Sequence, residues 1–483
     1  MSGAVPTGAM KNVDPYIAVR AQLIARQWDN SEKPRASWFA ALAKAGLTGA
    51  FTSGDYTSGL AEVLTAAEIF GAYAVPLSFT PAAGAAAALA ASDSPRARSL
   101  LETMVFGGAP VLPALQNLAN TISADEGSGL EARMGADGSI TVSGAVSTTR
   151  ISVPDAAEAD AFLAHATGPD GLVVFVFRKN AQGLQTTTRS DRTGGTLTAF
   201  SFEAANIPKD DILAWGSAAQ ALLDRTHCVV QLGLAAELVG LGGALMIRAG
   251  AARTSEGDLA DALMDVTLAR SLVFGTAGFA RPARPHAMGI LTGVRSAAAN
   301  AAINAAKIAL AASCDPKHKN VIKSLADRAI VASAIYGAPH IQKQAFLDWL
   351  WRDGASNTTI NELFSAASAM AGNEAAKPSP SVAASVATNT KMRIFAAESG
   401  LSSEPAFRSQ HGAAELDLMA LVCADAQQQA GLGPPPGFIT AAARRTRQKL
   451  ADCALCYSGA EAALAGSISG CNFLAAHDCG ESP

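Results

Sequence analysis

The residues best suited to chemistry in this sequence are a few cysteines, histidines and tyrosines, and the clearest spacing is a cysteine pair near the C-terminus. Cys453-x-x-Cys456 is followed by Cys471, His477 and Cys479, and paired cysteines at this spacing bind zinc in many proteins. However, Cys453 and Cys456 lie in a segment with a helical pattern, and the residues after them are not spaced as in a zinc ribbon. We therefore predict no metal site.

His227 is a candidate acid or base, since an imidazole with an unperturbed pKa near about 6.5 can exchange protons at neutral pH. The alternative is a histidine on the surface of a helix or at an interface, and the same two interpretations apply to His340. Arg444, Arg445, Arg447 and Lys449 form a short basic run. We interpret this run as the solvated face of a helix rather than as a surface for nucleic acid.

The composition narrows the class of protein. The 483 residues include 37 basic and 41 acidic side chains, for a net charge of −4, which argues against binding to nucleic acid or to an acidic membrane surface. With 49% hydrophobic and 16% charged residues, the chain is predicted to fold around a large core. The longest apolar stretch, Val229 to Ile247, is interrupted by Gln231 and Glu237, so it predicts a buried core helix rather than a membrane span.

The cellular compartment is suggested by the cysteines and by the first residues. Seven scattered cysteines are typical of reduced thiols, and the N-terminus lacks the basic and apolar regions of a secretory signal. We therefore expect a cytoplasmic protein.

The positions of these residues depend on the secondary structure, and the pattern of apolar residues that predicts it changes along the chain. Residues 16–106 have helical periodicity, residues 108–207 alternate with turn signals between them, and the segment from about Asp211 to Arg352 is again helical. Residues 371–390 are rich in Ala, Ser, Thr and Pro, which is typical of a linker. This order predicts an α+β fold: a helical domain (1–107), a small middle β-domain (108–215), a helical bundle (216–353), a linker (354–390) and a helical extension (391–483).

Several segments within residues 35–345 resemble the acyl-CoA dehydrogenase family in order and spacing. Ala159-Asp160-Ala161-Phe162-Leu163 resembles a strand of the family's β-domain, and Leu223-Asp224-Arg225-Thr226-His227 resembles the start of its long helix. Ile335-Tyr336-Gly337-Ala338-Pro339-His340-Ile341-Gln342 resembles its I-E-G-T-x-x-I-Q segment. The resemblance implies the same three-part fold, bound FAD, and an acyl-CoA substrate whose α-proton a carboxylate removes while the flavin takes a hydride.

The two positions at which the family carries its base correspond to Tyr336 and Thr226, and the arginine that normally follows the second corresponds to His227. Neither base position holds Glu or Asp, and a phenol with an unperturbed pKa of about 10 is a poor base at neutral pH. Tyr336 is therefore either a catalytic phenol or an aromatic ring that closes the substrate cavity. We take Tyr336, His227 and Thr226 as the candidate catalytic residues.

The flavin contacts implied by the resemblance are also altered. Arg253 is the residue available to reach the pyrophosphate. Gly337, Ala338 and His340 replace the glycine, threonine and polar residue that follow the base, while Leu115-Gln116-Asn117 and Ala312-Ser313-Cys314 replace other cofactor-binding segments. Arg253, Gly337, Ala338 and His340 are thus the candidate cofactor-binding residues.

Two hypotheses follow from the resemblance. The chain is either an FAD-dependent oxidoreductase acting on an acyl-CoA thioester, by α,β-dehydrogenation or by altered chemistry, or a catalytically degenerate subunit of an assembly. In the family a neighbouring subunit completes the flavin site, so a chain without a site of its own can still serve a paralogous partner. Both hypotheses predict a homo- or hetero-oligomer, and the C-terminal extension is predicted to take part in dimerisation.

Overall fold

The structure, a computed structural model, places fourteen α-helices and one nine-stranded sheet within the residues that it describes. These residues are 13–28, 36–75, 78–115, 129–146, 153–190, 193, 195–250, 256–279, 287–312, 316–351, 357–398, 400–435 and 437–464.

Five helices come first, as the helical periodicity of residues 16–106 predicts. Asp55 begins α3 as an N-cap, because its carboxylate accepts a hydrogen bond from the amide of Thr57 and so satisfies a backbone N–H that has no partner within the helix. Apolar residues on almost every side of α3 and α4 are buried, so these two helices lie inside the protein. The five helices are α1 (Pro15–Trp28), α2 (Ala36–Lys44), α3 (Tyr56–Ala72), α4 (Phe79–Ala91) and α5 (Pro95–Glu102).

Nine strands follow and form one mixed sheet. Its main path has the order β4-β8-β3-β2-β5-β6-β9, with β1 paired to β5 in parallel and β7 paired to β8. Aromatic rings from β5, β6 and β8 pack together in its core, with ring centroids 4.7–6.4 Å apart. The strands are β1 (Val111–Pro113), β2 (Leu130–Met134), β3 (Ile140–Val146), β4 (Val153–Pro154), β5 (Ala161–Gly168), β6 (Gly171–Arg178), β7 (Leu184–Ser190), β8 (Thr196–Ile207) and β9 (Ile212–Trp215).

A second group of helices begins with the longest one, α6. Both α6 and α7 are long and apolar enough to cross a membrane, but 94% of the most apolar 18-residue window of α6 and 72% of that of α7 are buried inside the protein. Burial of this kind is typical of core helices. The group comprises α6 (Gly216–Gly250), α7 (Glu256–Phe279), α8 (Ala287–Ala312), α9 (Pro316–Ala334) and α10 (Pro339–Trp349).

Glycines bring α6 into close contact with α3 and α4. A Cβ atom at Gly84 of α4 would lie 2.5 Å from Val230 Cγ2, and one at Gly233 of α6 would lie 2.3 Å from Thr80 Cγ2. A Cβ at Gly240 of α6 would lie 1.9 Å from a backbone oxygen of α3. Because a side chain has no room at these positions, α3 and α4 approach α6 closely at each of them.

The last four helices are α11 (Asn357–Met370), α12 (Pro380–Glu398), α13 (Pro405–Gln429) and α14 (Phe438–Leu464). Residues 354–390, predicted to form a linker, therefore contain α11 and the first half of α12. Two polar side chains in that half, Ser385 and Thr388, donate hydrogen bonds to carbonyls of the preceding turn, which makes them compatible with a helix. Inside this group the buried carboxylate of Glu415 accepts hydrogen bonds from Arg393 and Asn389.

The α+β fold predicted from the sequence is confirmed: helices, then strands, then helices, then a helical extension. Backbone contacts divide the chain into two compact units, the first comprising residues 12–273 and 280–345 and the second residues 274–279 and 346–483. The five boundaries proposed from the sequence stay predictions. All of the candidate catalytic residues belong to the first unit.

Candidate functional site

Tyr336 lies in the short turn between α9 and α10. Its backbone has φ +54°, that of Gly337 has φ +122°, and Pro339 then begins α10. The ring is 1% exposed, and its hydroxyl donates a hydrogen bond to the carbonyl oxygen of Pro113 at 2.9 Å. Burial raises the pKa of this phenol far above its ordinary value, so Tyr336 is a hydrogen-bond donor that stays protonated at neutral pH.

Thr226 lies on the part of α6 that faces α4. Its hydroxyl donates to the carbonyl of Leu222, one turn earlier in the same helix, at 2.9 Å. A Cβ atom at Gly84 would lie 3.1 Å from the carbonyl oxygen of Thr226, so α4 fills the space beside it. Thr226 is fully buried, and its hydroxyl is occupied within the helix.

His227, the next residue, interacts with the sheet. Burial, together with the smaller effect of the imidazole of His165 on β5, lowers the pKa of His227 to about 3. Burial likewise lowers the pKa of His165 to about 4. The Nε2 atom of His227 and the Nδ1 atom of His165 have no hydrogen-bond partner in the described part of the chain. Both imidazoles are therefore neutral at physiological pH.

The alternative to a base was a histidine on a helix surface or at an interface. The structure rules out the helix surface, since His227 is 1% exposed, and the residue packs inside the first unit instead. The low pKa of His227 also argues against its prediction as a catalytic base. A group with a pKa near 3 binds a proton too weakly to remove an α-proton efficiently at neutral pH.

The residues predicted to contact a flavin are only partly described. Gly337 is buried, His340 is exposed, and the carbonyl of Ala338 accepts hydrogen bonds from the amides of Ile341 and Gln342 in the first turn of α10. The remaining predicted contacts lie outside the described residues: Arg253, Gln116, Asn117, Ser313 and Cys314.

The described residues do not supply, at either predicted position, the base that α,β-dehydrogenation of an acyl thioester needs. Where a carboxylate would remove a proton, Tyr336 occupies the space and is hydrogen-bonded to backbone. At the second base position, the hydroxyl of Thr226 is bonded within its helix and α4 lies against its backbone. A cleft of about 420 Å³ does exist beside β2 and β5, but it is lined by residues 131–134 and 167–169 and by none of the predicted site residues.

A group of charged residues that sequence reasoning missed lies deeper in the first unit. Glu237 on α6 is 2% exposed, and its Oε1 atom accepts a hydrogen bond from the hydroxyl of Thr80 on α4 at 2.5 Å. Burial raises the pKa of Glu237 to about 7, although Thr80, Arg328 and Arg295 oppose the shift. One acid in an otherwise apolar stretch was the available signal, since an unpaired carboxylate is too costly to bury.

Arg295 on α8 connects this group to the turn that carries Tyr336. It is 1% exposed, and its Nη2 atom donates to the carbonyl of Ala332 and, at 3.0 Å, to that of Ile335. The Nε2 atom of the Gln342 side chain in turn donates to the carbonyl of Tyr336 at 3.2 Å. Burial lowers the pKa of Arg295 to about 10, and the nearby charge of Glu237 opposes that shift.

The predicted absence of a metal site has no direct test. No group of three or more His, Cys, Asp or Glu side chains suited to a metal ion occurs among the residues that the structure describes. Cys453 and Cys456 lie in α14, as predicted, whereas Cys471, His477 and Cys479 lie outside the described residues.

Comparison of the structure with solved structures identifies the fold. An acyl-CoA dehydrogenase complexed with FAD from Bacillus anthracis matches with a TM-score of 0.71 over 97% of this chain and 94% of that one, at 13% sequence identity. A Tcur3481–Tcur3483 steroid ACAD variant matches with a TM-score of 0.58 over 70% of this chain and 98% of that one, at 21% identity. The ChsE4–ChsE5 complex from Mycobacterium tuberculosis matches with a TM-score of 0.57 over 71% and 99%, at 18% identity.

No protein-family model and no curated protein sequence matches the chain. The structural similarity nevertheless covers most of its length, and this chain has the fold of the acyl-CoA dehydrogenases. In the Bacillus anthracis structure the similarity extends over nearly the whole chain, whereas the other two structures match about 70% of it.

Proposed function

We propose that this chain is a subunit that keeps the acyl-CoA dehydrogenase fold without catalysing α,β-dehydrogenation, and that it acts by assembling with a related chain that carries the flavin. The observation that carries this proposal is the hydrogen bond from Tyr336 to the Pro113 carbonyl, at the position where dehydrogenation needs a carboxylate. A neutral, buried phenol bonded to backbone cannot remove an α-proton.

The surroundings of Tyr336 support the same conclusion. The other two candidates, Thr226 and His227, are both buried. The hydroxyl of Thr226 is hydrogen-bonded within its own helix, and the imidazole of His227 is neutral. The fold itself remains intact, with a tightly packed helical core and a complete sheet. A protein retained for assembly needs this packing but not the catalytic groups, because the fold and the site are separate properties.

The kind of partner is suggested by the structural neighbours. Two of them are named as pairs of proteins, Tcur3481–Tcur3483 and ChsE4–ChsE5. We therefore propose a paralogous chain of the same fold as partner, in a hetero-oligomer whose second chain binds the acyl-CoA. A cytoplasmic location, favoured by the sparse thiols, belongs to the same proposal.

The test compares the purified chain alone with the chain purified from its source cells through an affinity tag. Native mass spectrometry gives the composition of each preparation, and the visible spectrum reports bound flavin. We expect the isolated chain to be colourless, and the complex to contain a second chain of the same fold together with flavin. Stoichiometric flavin on the isolated chain, bleached when butyryl-CoA is added, would refute the proposal.

The second candidate function is that of an FAD-dependent oxidoreductase that acts on an acyl thioester by altered chemistry. It is favoured by the FAD-complexed acyl-CoA dehydrogenase that matches nearly the whole chain. The same spectra decide between the two functions, because an oxidoreductase built from this chain alone must bind flavin without a second, different chain. Replacing Tyr336 with Phe and His227 with Ala, one at a time, would then show whether either side chain affects turnover.

A further inference from the structure

We propose that strand β7 pairs with β7 of a second copy of this chain, so that the two sheets become continuous across a twofold axis. This inference concerns the isolated chain and goes beyond the proposed function, since the pairing needs neither a flavin nor a chain of a different sequence. Its basis is that β7 is an exposed strand paired on one side.

The free edge of β7 follows from the topology of the sheet. The seven residues of the strand face β8 in an unbroken antiparallel register, from Leu184 opposite Phe202 to Ser190 opposite Thr196. No other strand in the described part of the chain pairs with β7. Residues 185–190 are all exposed, although successive side chains point to opposite faces of a sheet. A further strand can therefore approach this edge.

The sequence of β7 lacks the features that usually protect a strand edge. The strand, Leu184-Gln185-Thr186-Thr187-Thr188-Arg189-Ser190, contains neither proline nor lysine, and its register with β8 has no bulge. Three successive threonines favour an extended conformation. Natural proteins usually blunt or cover a long, regular edge of this kind, because it otherwise adds a strand from another chain.

Hydrogen bonds around β7 define which of its backbone groups face outwards. The amide of Glu203 on β8 donates to the carbonyl of Gly183, the residue before β7, at 2.7 Å. Because hydrogen-bonded and non-hydrogen-bonded pairs alternate along an antiparallel ladder, the odd-numbered residues of β7 bond to β8. The side-chain contact between Thr188 and Thr198, with 2.9 Å between their Oγ1 atoms, is typical of the non-hydrogen-bonded pairs. The N–H and C=O groups of Thr186 and Thr188 therefore point away from the sheet.

A second copy fits this edge best in one antiparallel register. With Thr187 of both copies on the twofold axis, all residues of the strand overlap, whereas every other register shortens the overlap. The amides of Thr186 and Thr188 then donate to the carbonyls of Thr188 and Thr186 of the second copy, and the amide of Ser190 donates to the carbonyl of Leu184. Both copies use the same surface, as a twofold interface requires.

The side chains are complementary in the same register. Arg189 is the one charged residue of β7, and it lies opposite Gln185 of the second copy, whose amide oxygen can accept a hydrogen bond from a guanidinium. Like charges, which would be destabilising, do not face each other, and Thr186 lies opposite Thr188 in a favourable cross-strand pair. This match favours a second copy of the chain as the occupant of the edge.

Oxidative cross-linking tests the register directly. Two Thr187 residues on the axis form a non-hydrogen-bonded pair, whose Cα atoms lie about 4.5 Å apart, within the range that a disulfide spans. We therefore expect Thr187→Cys to give a disulfide-linked dimer under mild oxidation. Gln185→Cys is the matched control, since this residue is also exposed and on the same face. It would lie about 13 Å from its counterpart and should cross-link no more than the unaltered protein.

Analytical ultracentrifugation measures the interface without an added cysteine. Thr186→Pro removes an amide that faces the second copy but keeps the bonds to β8, so it should raise the Kd of the dimer at least about tenfold. Thr186→Val keeps the amide and favours a strand, so its dimer should persist. If the proline variant does not fold, the two cysteine variants still decide. A chain that is monomeric throughout the micromolar range, a dimer that a folded Thr186→Pro does not weaken, or equal cross-linking at positions 185 and 187 overturns the proposal.

Discussion

The hydroxyl of Tyr336 donates a hydrogen bond to the carbonyl oxygen of Pro113, 2.9 Å away. This contact joins the turn before α10 to the end of the first strand, across 223 positions of sequence. It fixes an aromatic ring at the place where the acyl-CoA dehydrogenase resemblance implies a carboxylate. The turn and the strand are therefore held together by the residue that stands where the resemblance implies that carboxylate.

Replacing Tyr336 with Phe should destabilise the protein by about 1–2 kcal/mol, because the Pro113 carbonyl is left buried without its donor. The ring and its packing are retained, so the loss reports the hydrogen bond. Urea unfolding followed by circular dichroism measures the change. The control is Tyr73→Phe, which removes a longer and exposed hydrogen bond from Arg26 at 3.3 Å and should cost little. Equal losses in the two variants would contradict the interpretation.

The pair formed by His165 and His227 should make the protein less stable in acid. Both have pKa values well below 6.5 in the folded state, about 4 and about 3, so below pH 6.5 the unfolded chain binds protons that the folded chain does not. Their contribution is fully present above pH 6.5 and is lost as the pH falls towards these values. At pH 5.5 the loss should be about 1.4 kcal/mol for each histidine.

Urea midpoints between pH 7.5 and pH 5 measure this dependence. Replacing either histidine with Met should reduce the slope, whereas replacing the exposed His340 with Gln should leave it unchanged. If the slope of the His227→Met variant equals that of the unaltered protein, His227 is not buried in its neutral form.

Glu237 should have the opposite effect on stability over a neighbouring pH range. Its pKa rises from 4.5 to about 7 on folding, so the folded chain keeps a proton that the unfolded chain releases. The associated stability is present below pH 4.5 and is lost as the pH rises through about 7. The total should be on the order of 3 kcal/mol, since a tenfold change in an ionisation constant corresponds to about 1.4 kcal/mol.

The difference between the unaltered protein and Glu237→Gln isolates this contribution from that of the histidines. It should change steadily between pH 4.5 and pH 7 and become constant above that range. Glu131→Gln, at an exposed position of β2, is the matched control and should show no such trend. A constant difference at all pH values for Glu237→Gln would mean that folding does not change the pKa of this carboxyl group.

Two glycines of α6 should respond in opposite ways to the same substitution. Gly233→Ala places a methyl group 2.3 Å from Thr80 Cγ2 and should destabilise the protein by about 1–3 kcal/mol through overpacking. Gly243→Ala meets no atom within 4 Å and should stabilise it by up to about 1 kcal/mol, because alanine favours a helix.

The cause can be checked with a double variant. Thr80→Ser removes the methyl group but keeps the hydroxyl that donates to Glu237, so it should rescue much of the loss in Gly233→Ala. Thermal or urea unfolding of the single and double variants gives the coupling. Additive effects would show that the contact between α4 and α6 is not the source of the loss.

The sequence alone determined the order of the elements. Period-two alternation in residues 108–207 and helical periodicity on both sides are local patterns, and they predicted the helices and strands that the structure contains. Residues 354–390 are the exception, because Ser and Thr satisfy their hydroxyls on the preceding turn of a helix and so need no loop. The sequence also showed that positions 226 and 336 lack a carboxylate.

Only the tertiary structure decided what these positions do instead. The partner of Tyr336 is 223 residues away, and His227 is neutral because the packing of α6 on the sheet removes it from water beside His165. In the sequence, Glu237 is only a charged residue within an apolar stretch. The structure shows that Thr80 donates a hydrogen bond to its carboxylate and that the charge of Arg295 affects its pKa. Periodicity reports which face of an element is buried, but the ionisation and contacts of a buried group depend on residues brought together from distant parts of the chain.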